Sequence, residues 1–369
     1  MTLKRINGNC KMKIAKFKIE VPKHFAFFIE TKLTMDIPSL KKALLNPEIY
    51  PDHPQTVSFG ETHISLLFFT GYHVYKLKKP VNFGFLDFTT LEKRKYFCEQ
   101  EVKLNRRLSP EIYLGVVRVT DDGKEISLNG KGEVLEYAVQ MKQIPEDFLM
   151  DKLLKSGKVT PEMMKRVSEK LVLFYSVAET NEYIKSFAKP ERVKQDTDEN
   201  FEQTEKYIDE AIPRKAYEEI KSRTNRFLKE QTDLFARRIT ADRIRDCHGD
   251  LRLEHIFWGE KISIFDCIEF NERFRFTDVA ADIGFLAMDI DYHRRGDLNQ
   301  PLIQTYIEKS GDRDVLEVLD FYQCYRAYVR GKVESFRLDD PNIPEKEKKE
   351  ALKRARQYFD LAHQYSQRF

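Results

Sequence analysis

The sequence has no cysteine pairs of the kind that form metal or redox motifs, and it has no long apolar runs. Its five cysteines are odd in number and include no Cys-x-x-Cys pair, so they give no sign of a disulfide framework. This usage fits a reducing compartment, and we expect a cytoplasmic protein. No apolar run reaches the roughly 18 residues of a membrane span, and no small-residue cleavage site follows an apolar core.

A marked excess of one charge is also missing. The 63 Lys and Arg nearly balance the 60 Asp and Glu, for a net charge of +3. Composition therefore gives no reason to expect a nucleic-acid partner or a membrane surface. Residues 1–34 hold eight Lys or Arg against two Glu, and we interpret them as a basic N-terminal extension of a mildly acidic body.

Two aspartates in the second half of the chain form the most informative pattern. Asp250 follows His248-Gly249, and Asp266 ends an apolar run. In phosphoryl transfer, one Asp in a short loop accepts the proton of the attacking hydroxyl, while a second Asp holds Mg²⁺ on the ATP phosphates. Short β-like runs at 243–247 and 256–258 flank the first Asp, and a Gly-Glu-Lys turn leads toward the second. This context predicts a catalytic loop, then a hairpin, then a metal-binding Asp.

These motifs resemble the aminoglycoside phosphotransferase family of kinase-like enzymes. The resemblance covers residues 37–336. In detail, this region is similar to the kinase-like domain of uncharacterised bacterial proteins that often carry a P-loop ATPase domain behind it. No Gly-x-x-x-x-Gly-Lys-Ser/Thr occurs here, so a P-loop ATPase would be a partner on a separate chain. The phrases that carry the resemblance are His248-Gly249-Asp250, Thr277-Asp278-Val279-Ala280-Ala281-Asp282, Glu61-Thr62-His63-Ile64-Ser65, Tyr75-Lys76-Leu77-Lys78-Lys79-Pro80, Phe83-Gly84-Phe85-Leu86-Asp87-Phe88 and Tyr325-Arg326-Ala327-Tyr328-Val329-Arg330-Gly331-Lys332-Val333.

The resemblance implies an α+β, bilobal, protein-kinase-like fold. We expect a small antiparallel-sheet N-lobe at 35–142, which binds the nucleotide, and a mainly helical C-lobe at 143–369. Alternating residues at 56–79 predict strands, and apolar spacing at 91–108 predicts a helix. Inserted helices before the catalytic loop would help to wall the substrate pocket, and the charged pattern at 344–369 predicts a solvated helix.

The nucleotide site is expected on the predicted strand at 73–78. Its period of two places Val74, Lys76 and Lys78 on one face. The resemblance favours Lys76 as the phosphate-binding lysine with Val74 against the adenine; Lys78 is one alternative, and a pair of surface lysines on an edge strand is another. Glu101 on the next helix, or else Glu99, would fix the lysine. The expected nucleotide-binding set is completed by Thr62, Ser65 and Met141.

Asp250 is the predicted catalytic base, which orients the acceptor hydroxyl. We expect His248 to brace the loop and not to act as a base. By resemblance, Asp282 would accept hydrogen bonds from the loop backbone. Asp278 would cap the helix that follows.

The metal site departs from the pattern that the resemblance implies, since His255 replaces an Asn five residues after the catalytic Asp. Mg²⁺ prefers oxygen donors, whereas imidazole suits softer ions. Either His255 and Asp266 both bind a Mn²⁺-like ion, or an oxygen donor replaces His255 as the metal ligand. We expect the second arrangement. The candidate oxygen donors are Glu254, Glu269 and Asn271.

The acceptor pocket is predicted on a helix near the C-terminal end. Arg326 and Arg330 share a helical face with Tyr322 and Glu334. If this face lines the pocket, the guanidiniums suit an anionic or hydroxyl-rich acceptor and would repel a polycation such as an aminoglycoside. Alternatively they pair with acidic groups between helices.

The sequence thus predicts an ATP-dependent phosphotransferase that acts on a hydroxyl of a small molecule. Its cofactors would be ATP and Mg²⁺, with Mn²⁺ as the alternative ion. A nucleotide-binding pseudokinase or regulatory module without turnover is the competing prediction.

Overall fold

The computed structural model describes residues 36–369, so the basic extension expected at 1–34 lies outside the described residues. For the rest of the chain the expected fold class is confirmed: a small antiparallel sheet is followed by a mainly helical part. No helix within residues 36–369 is both long and apolar enough to cross a membrane.

A six-stranded antiparallel sheet forms the first part, in the order β1-β2-β3-β6-β4-β5. β3 pairs with β2 on one side and β6 on the other, so the alternative of surface lysines on an edge strand is wrong. Residue alternation at 56–79 predicted β1, β2 and β3. The strands are β1 (Ser58–Glu61), β2 (Ser65–Phe69), β3 (His73–Lys78), β4 (Tyr113–Asp121), β5 (Ile126–Leu128) and β6 (Glu133–Lys142).

Two helices pack on this sheet. Leu40 and Leu44 of α1 (Ile37–Leu44) join a core with residues of β2 and β3. The predicted helix α2 (Leu91–Asn105) begins where the Thr90 side chain accepts a hydrogen bond from Lys93 N, a common way to satisfy an N-terminal amide. α2 packs through apolar side chains against β4 and β6. This packing buries Glu101 beside β3.

The helical part contains ten helices among the described residues and carries the largest apolar core. α6 begins at a proline and is one of the helices expected before the catalytic loop. The helices are α3 (Met150–Lys155), α4 (Pro161–Val177), α5 (Glu182–Lys185), α6 (Pro190–Thr204), α7 (Arg214–Glu230), α8 (Thr232–Thr240), α9 (Val279–Tyr292), α10 (Asn299–Ser310), α11 (Val315–Phe336) and α12 (Glu345–Ser366).

The prediction of a solvated helix at the C-terminal end is wrong. α12 packs along α11 and buries one face completely. Ala351, Ala355, Phe359 and Ala362 recur every three or four residues and are fully buried, which is the spacing of one helical face. The many Lys, Glu and Arg residues lie on the other faces and obscured this stripe.

Two short hairpin-like pairs position the predicted catalytic residues. β7 (Ile244–Asp246) pairs with β10 (Phe276–Asp278), and β8 (Ile256–Trp258) pairs with β9 (Ile262–Ile264). The loop between β7 and β8 carries Asp250. Asp266 follows β9 by two residues, so both aspartates leave strands on the same side of the helical part.

Candidate active site

A cavity of about 1110 Å³ lies between the sheet and the helical part and is lined by residues of both. Most side chains that the sequence predicted for the site line it. Glu101, His248 and Asp282 lie behind its wall and contact the lining residues instead. The predicted residues on the wall are Thr62, Ser65, Val74, Lys76, Met141, Asp250, His255, Asp266, Glu269, Arg326 and Arg330.

The sheet supplies a lysine to this cavity. Lys76 Nζ lies 2.7 Å from Glu101 Oε1 and 3.1 Å from Asp266 Oδ1. The structure thus brings together the expected lysine, helix glutamate and metal aspartate. Glu99, the alternative to Glu101, instead faces solvent near Lys95. Val74 is the cross-strand partner of Met141, so these two apolar side chains form one wall beside Lys76.

Lys78 does not line the cavity and lies in a buried ion-pair network behind its wall. Its ammonium lies 2.7 Å from Glu101 Oε2 and also bonds to Glu269, and its side chain is fully buried. Burial alone would raise the pKa of Glu101, but Lys76 and Lys78 lower it. Burial keeps the pKa of Glu269 raised despite its lysine partner. Lys78 therefore has a packing and pairing role, which favours Lys76 as the cation that meets a ligand.

The catalytic loop is braced from behind by α9. Asp282 accepts hydrogen bonds from His248 N (2.7 Å) and Gly249 N (2.9 Å), as the resemblance implied. Gly249 has φ +86°, and a Cβ there would meet Phe274 O at 2.8 Å, so only glycine fits without strain. Asp278 caps α9 through Ala280 N and also bonds to Arg238 within the core.

His248 acts as a neutral brace. Its Nε2 lies 2.9 Å from Phe265 O, and its Nδ1 accepts from Asp250 N at 3.3 Å. Burial lowers the pKa of its ring to about 4. The imidazole therefore links the loop to the strand end that precedes Asp266.

Sequence reasoning missed Arg252, which binds the predicted base directly. Arg252 Nε and Nη2 donate to the two Asp250 carboxylate oxygens at 2.8 and 2.7 Å, and Arg252 Nη1 bonds to Glu254. Burial would raise the pKa of Asp250, but Arg252 and then His255 hold it well below its usual range. Leu251 is buried in the core and the backbone is extended here, so residues 250 and 252 lie on one side of the chain. This spacing of two residues was the sequence signal that could have predicted their contact.

His255 and Asp266 face each other across the cavity wall. His255 Nδ1 lies 2.7 Å from Asp250 O, and His255 Nε2 lies 3.6 Å from Asp266 Oδ2. Asp266 adopts a φ of +62°, which is uncommon without glycine, and its N–H donates to the Tyr113 hydroxyl at 3.2 Å. Although desolvation opposes it, Lys76 lowers the pKa of Asp266 to about 2. Asp266 is thus held as a carboxylate.

The three oxygen donors considered in place of His255 all have other partners. Glu254 bonds to Arg252, and Glu269 bonds to Lys78. The Asn271 side chain donates to Phe85 O at 3.0 Å and accepts from Arg273 N at 3.0 Å. No three His, Cys, Asp or Glu side chains group as metal ligands within the described range. A Mg²⁺ ion bound by one or two protein groups plus nucleotide phosphates and water would still fit.

The predicted acceptor residues lie on α11, and the inserted helix α6 lines the same cavity. Arg326 Nε donates to Ala281 O at 3.3 Å, and its guanidinium lies over the Phe285 ring. Arg330 lines the cavity, and it lies 3.6 Å from Glu334 of the same helix. This pair within α11 is not the pairing between helices that was the alternative for Arg330. The lining by α6 is what is expected of an insertion that walls the pocket.

Comparisons with known proteins agree with this architecture. No family model matches the chain. Uncharacterised proteins of Mycobacterium tuberculosis and Mycobacterium bovis are 31% identical over 291 residues, which cover 77% of this chain and 57% of theirs. The chain therefore spans little more than half the length of these curated relatives.

Among solved structures, choline kinase from Cryptosporidium parvum superposes with a TM-score of 0.52 at 12% identity, over 89% of this chain and 96% of that one. A choline/ethanolamine kinase family protein from Mesorhizobium loti has a TM-score of 0.48 at 10% identity, over 89% of this chain and 99% of that one. The resemblance drawn from the motifs is thus confirmed at the level of the fold: the chain has the bilobal kinase-like fold.

Proposed function

We propose that the protein is an ATP-dependent phosphotransferase that acts on a hydroxyl of a small-molecule acceptor. One observation carries this proposal: Lys76, paired with Glu101 behind the wall, meets Asp266 in the same cavity that exposes Asp250. These four groups are the ones that phosphoryl transfer requires for the phosphates, the metal and the acceptor. The fold shared with choline kinase is in keeping with it.

In the proposed reaction, the acceptor oxygen forms a bond to the γ-phosphorus while the bond from that phosphorus to the bridging oxygen breaks. ADP leaves with the bridging electron pair, and Asp250 takes up the hydroxyl proton. Lys76 binds phosphate oxygens, and Val74 and Met141 contact the adenine. Thr62 shapes the covering turn, since its hydroxyl accepts from Ser65 N at 3.0 Å. Ser65 lies at the end of that turn.

The donors present fit a divalent cation on ATP. Asp266 supplies a carboxylate, and His255 faces it with Nε2 because Nδ1 is directed at Asp250 O. Glu254 and Glu269 bond to cations and Asn271 to backbone groups, whereas His255 Nε2 has only a 3.5 Å contact with Arg252 Nη2 and lies 3.6 Å from Asp266. We therefore infer that His255 is the second protein ligand and Glu269 is not one. When bound, the metal would neutralise charge on the phosphates.

A second candidate is a nucleotide-binding module without turnover. The observation that favours it is the two-pronged contact of Arg252 with both carboxylate oxygens of Asp250, since these oxygens must otherwise orient the acceptor. For turnover, the acceptor hydroxyl must compete with Arg252 for one of them.

The deciding experiment measures ADP release from ATP, with Mg²⁺ or Mn²⁺, in the presence of a pool of small metabolites. The phosphotransferase proposal expects ADP release that depends on the pool and disappears in Asp250→Ala, with nucleotide binding retained. Nucleotide binding with no release in the wild type would favour the second candidate. Labelled ATP would then mark the acceptor by mass and charge.

The proposed setting follows from the same reasoning. We propose a cytoplasmic enzyme. Its partners would be the small-molecule acceptor and a P-loop ATPase on a separate chain, and we propose neither a nucleic acid nor a membrane as a partner.

A further inference from the structure

Lys332 lies on the acceptor wall with an unusual set of partners. Its ammonium donates to Asn200 Oδ1 at 2.5 Å and to Gln203 Oε1 at 2.8 Å. Both acceptors are neutral amides of α6, and no carboxylate of the described chain lies within 4 Å of this ammonium. Amide oxygens orient a cation without cancelling its charge.

The position of Lys332 directs that charge into the cavity. Tyr325, Val329, Lys332 and Phe336 recur every three or four residues along α11, and all four line the cavity. Such spacing places side chains on one helical face. Lys332 is therefore part of the acceptor wall and is not a solvent-facing lysine.

Asp196 and Glu199, the carboxylates that act on Lys332, are already paired with arginines, since Arg192 lies 3.7 Å from Asp196 and Arg273 contacts both carboxylates. Arg273 Nε lies 2.6 Å from Asp196 Oδ1, and its Nη2 bonds to Glu199. Burial lowers the pKa of Lys332 to about 8, although Glu199 and Asp196 on α6 raise it and Arg273 lowers it further. A half-buried ammonium in this state is stabilised by an anion that approaches it.

Two other cations on this wall are paired with carboxylates: Arg330 with Glu334, and Arg252 with Asp250 and Glu254. Arg326 has no carboxylate within 4 Å in the described chain, but its Nε donates to Ala281 O and its guanidinium lies over the Phe285 ring. A neutral acceptor would leave the charge of Lys332 uncompensated in a cavity from which it displaces water.

We propose that the acceptor carries an anionic group, a carboxylate or a phosphate, and that Lys332 binds this group while the acceptor hydroxyl lies at Asp250. This inference rests on the proposed phosphotransferase function. It narrows the acceptor class to hydroxylated anions.

The test compares ligands that differ mainly in charge, by calorimetry on protein saturated with a non-hydrolysable ATP analogue so that the phosphate positions near Lys76 are filled. Gluconate is paired with glucose, and glycerol 3-phosphate with glycerol; the two pairs separate a carboxylate from a phosphate. We expect one anion to bind at least tenfold more tightly than its neutral counterpart.

Lys332→Gln should abolish that preference, and Lys332→Arg should retain most of it. Lys206→Gln is the matched control, because Lys206 lines the same cavity but is already paired with Asp339; this variant should keep the preference. Equal binding within both pairs, no binding of either anion, or a preference that survives in Lys332→Gln would overturn the inference.

The outcome separates the two proposals. If the enzyme turns over only neutral acceptors, the inference of an anionic acceptor is overturned, whereas the proposed phosphotransferase function still holds. Anion binding through Lys332 without any phosphoryl transfer supports the binding site and contradicts the proposed function.

Discussion

Asp250 and Asp266 lie in one cavity but are expected to fail in different ways when they are changed. Asp266→Ala should abolish metal-dependent nucleotide binding, since its carboxylate beside Lys76 is the proposed metal ligand. Asp250→Asn should leave nucleotide affinity within a few-fold and remove turnover, because in the proposed reaction this side chain acts on the acceptor and not on the nucleotide. Nucleotide titrations with and without Mg²⁺, together with ADP release, measure both. Equal loss of ATP affinity in the two variants would contradict the assignment.

The two lysines of β3 provide a second prediction. Lys76→Met should cost at least tenfold in ATP affinity or turnover, about 1.4 kcal/mol. Lys78→Met should instead lower the melting temperature, because it removes a partner from buried Glu101 and Glu269; breaking such a buried pair costs about 3–5 kcal/mol. Lys79→Met is the control, since Lys79 pairs with half-exposed Glu61 and should change stability little. A folded Lys78→Met with poor ATP binding would reverse the ranking.

His255 tests the metal site directly. If its Nε2 binds the cation beside Asp266, activity should be higher with Mn²⁺ than with Mg²⁺, because imidazole is the softer donor. His255→Asn should shift that preference toward Mg²⁺, since an amide oxygen is harder. Activity is measured against each metal at saturating ATP. An unchanged preference in His255→Asn would show that His255 lies outside the metal shell.

The residue roles show how far sequence reasoning extends. The family resemblance implied that Lys76, Glu101 and Asp266 would act together, and the structure brings them together. The resemblance did not assign Lys78 and Glu269 to each other, and no local pattern shows that side chains 191 residues apart pair. Arg252 was missed because its contact depends on the loop conformation, in which both Asp250 oxygens are turned toward it.

At the scale of elements, the closest packing in the helical part lies between α11 and α12. A Cβ on Gly331 would meet the ring of Phe359 at 2.8 Å, and that ring is fully buried. Composition alone suggested a solvated α12, because a count of charges does not reveal an apolar stripe on one face. The glycine of α11 is the sequence feature that indicates the close approach of another helix.

Gly331→Ala should therefore destabilise the protein by about 1–3 kcal/mol, the usual cost of overpacking. In an exposed helix the same change would be stabilising by roughly 0.5–1 kcal/mol. Thermal unfolding measures the sign. Gly331→Ala combined with Phe359→Leu should recover part of the loss by making room for the methyl group. A rise in melting temperature for the single variant would mean that the helices can separate at no cost.

At the scale of the whole molecule, a row of alternating charges joins the two lobes. It runs from Asp266 through Lys76, Glu101 and Lys78 to Glu269. Asp266 and Glu269 belong to the helical lobe, and the other three residues belong to the sheet lobe. These ion pairs therefore connect the two lobes at the inner edge of the cavity. The strand and helix periods predicted two lobes, whereas the connection between them depends on tertiary contacts that no local pattern specifies.

The acid stability of the molecule should depend on His248, which links the catalytic loop to the strand end before Asp266. Burial lowers its pKa from 6.5 to about 4 in the folded protein. The unfolded chain therefore takes up the proton at a higher pH than the folded chain does. The resulting stabilisation is complete above pH 6.5 and is lost as the pH falls through 4, with an amplitude of roughly 3 kcal/mol for a shift of this size.

Urea unfolding at a series of pH values between 4 and 7 measures this effect. The free energy of unfolding should fall toward acid pH in the wild type, and the slope in this window should be shallower in His248→Gln. His293→Gln, at a partly exposed position, is the matched control for the loss of an imidazole. The pKa values of Asp250 and Asp266 are lowered in the folded protein, so these carboxyls begin to add to the loss below about pH 5, where the unfolded chain takes up protons on its carboxylates. An identical slope in His248→Gln and the wild type would mean that the ring is not held neutral in the folded protein.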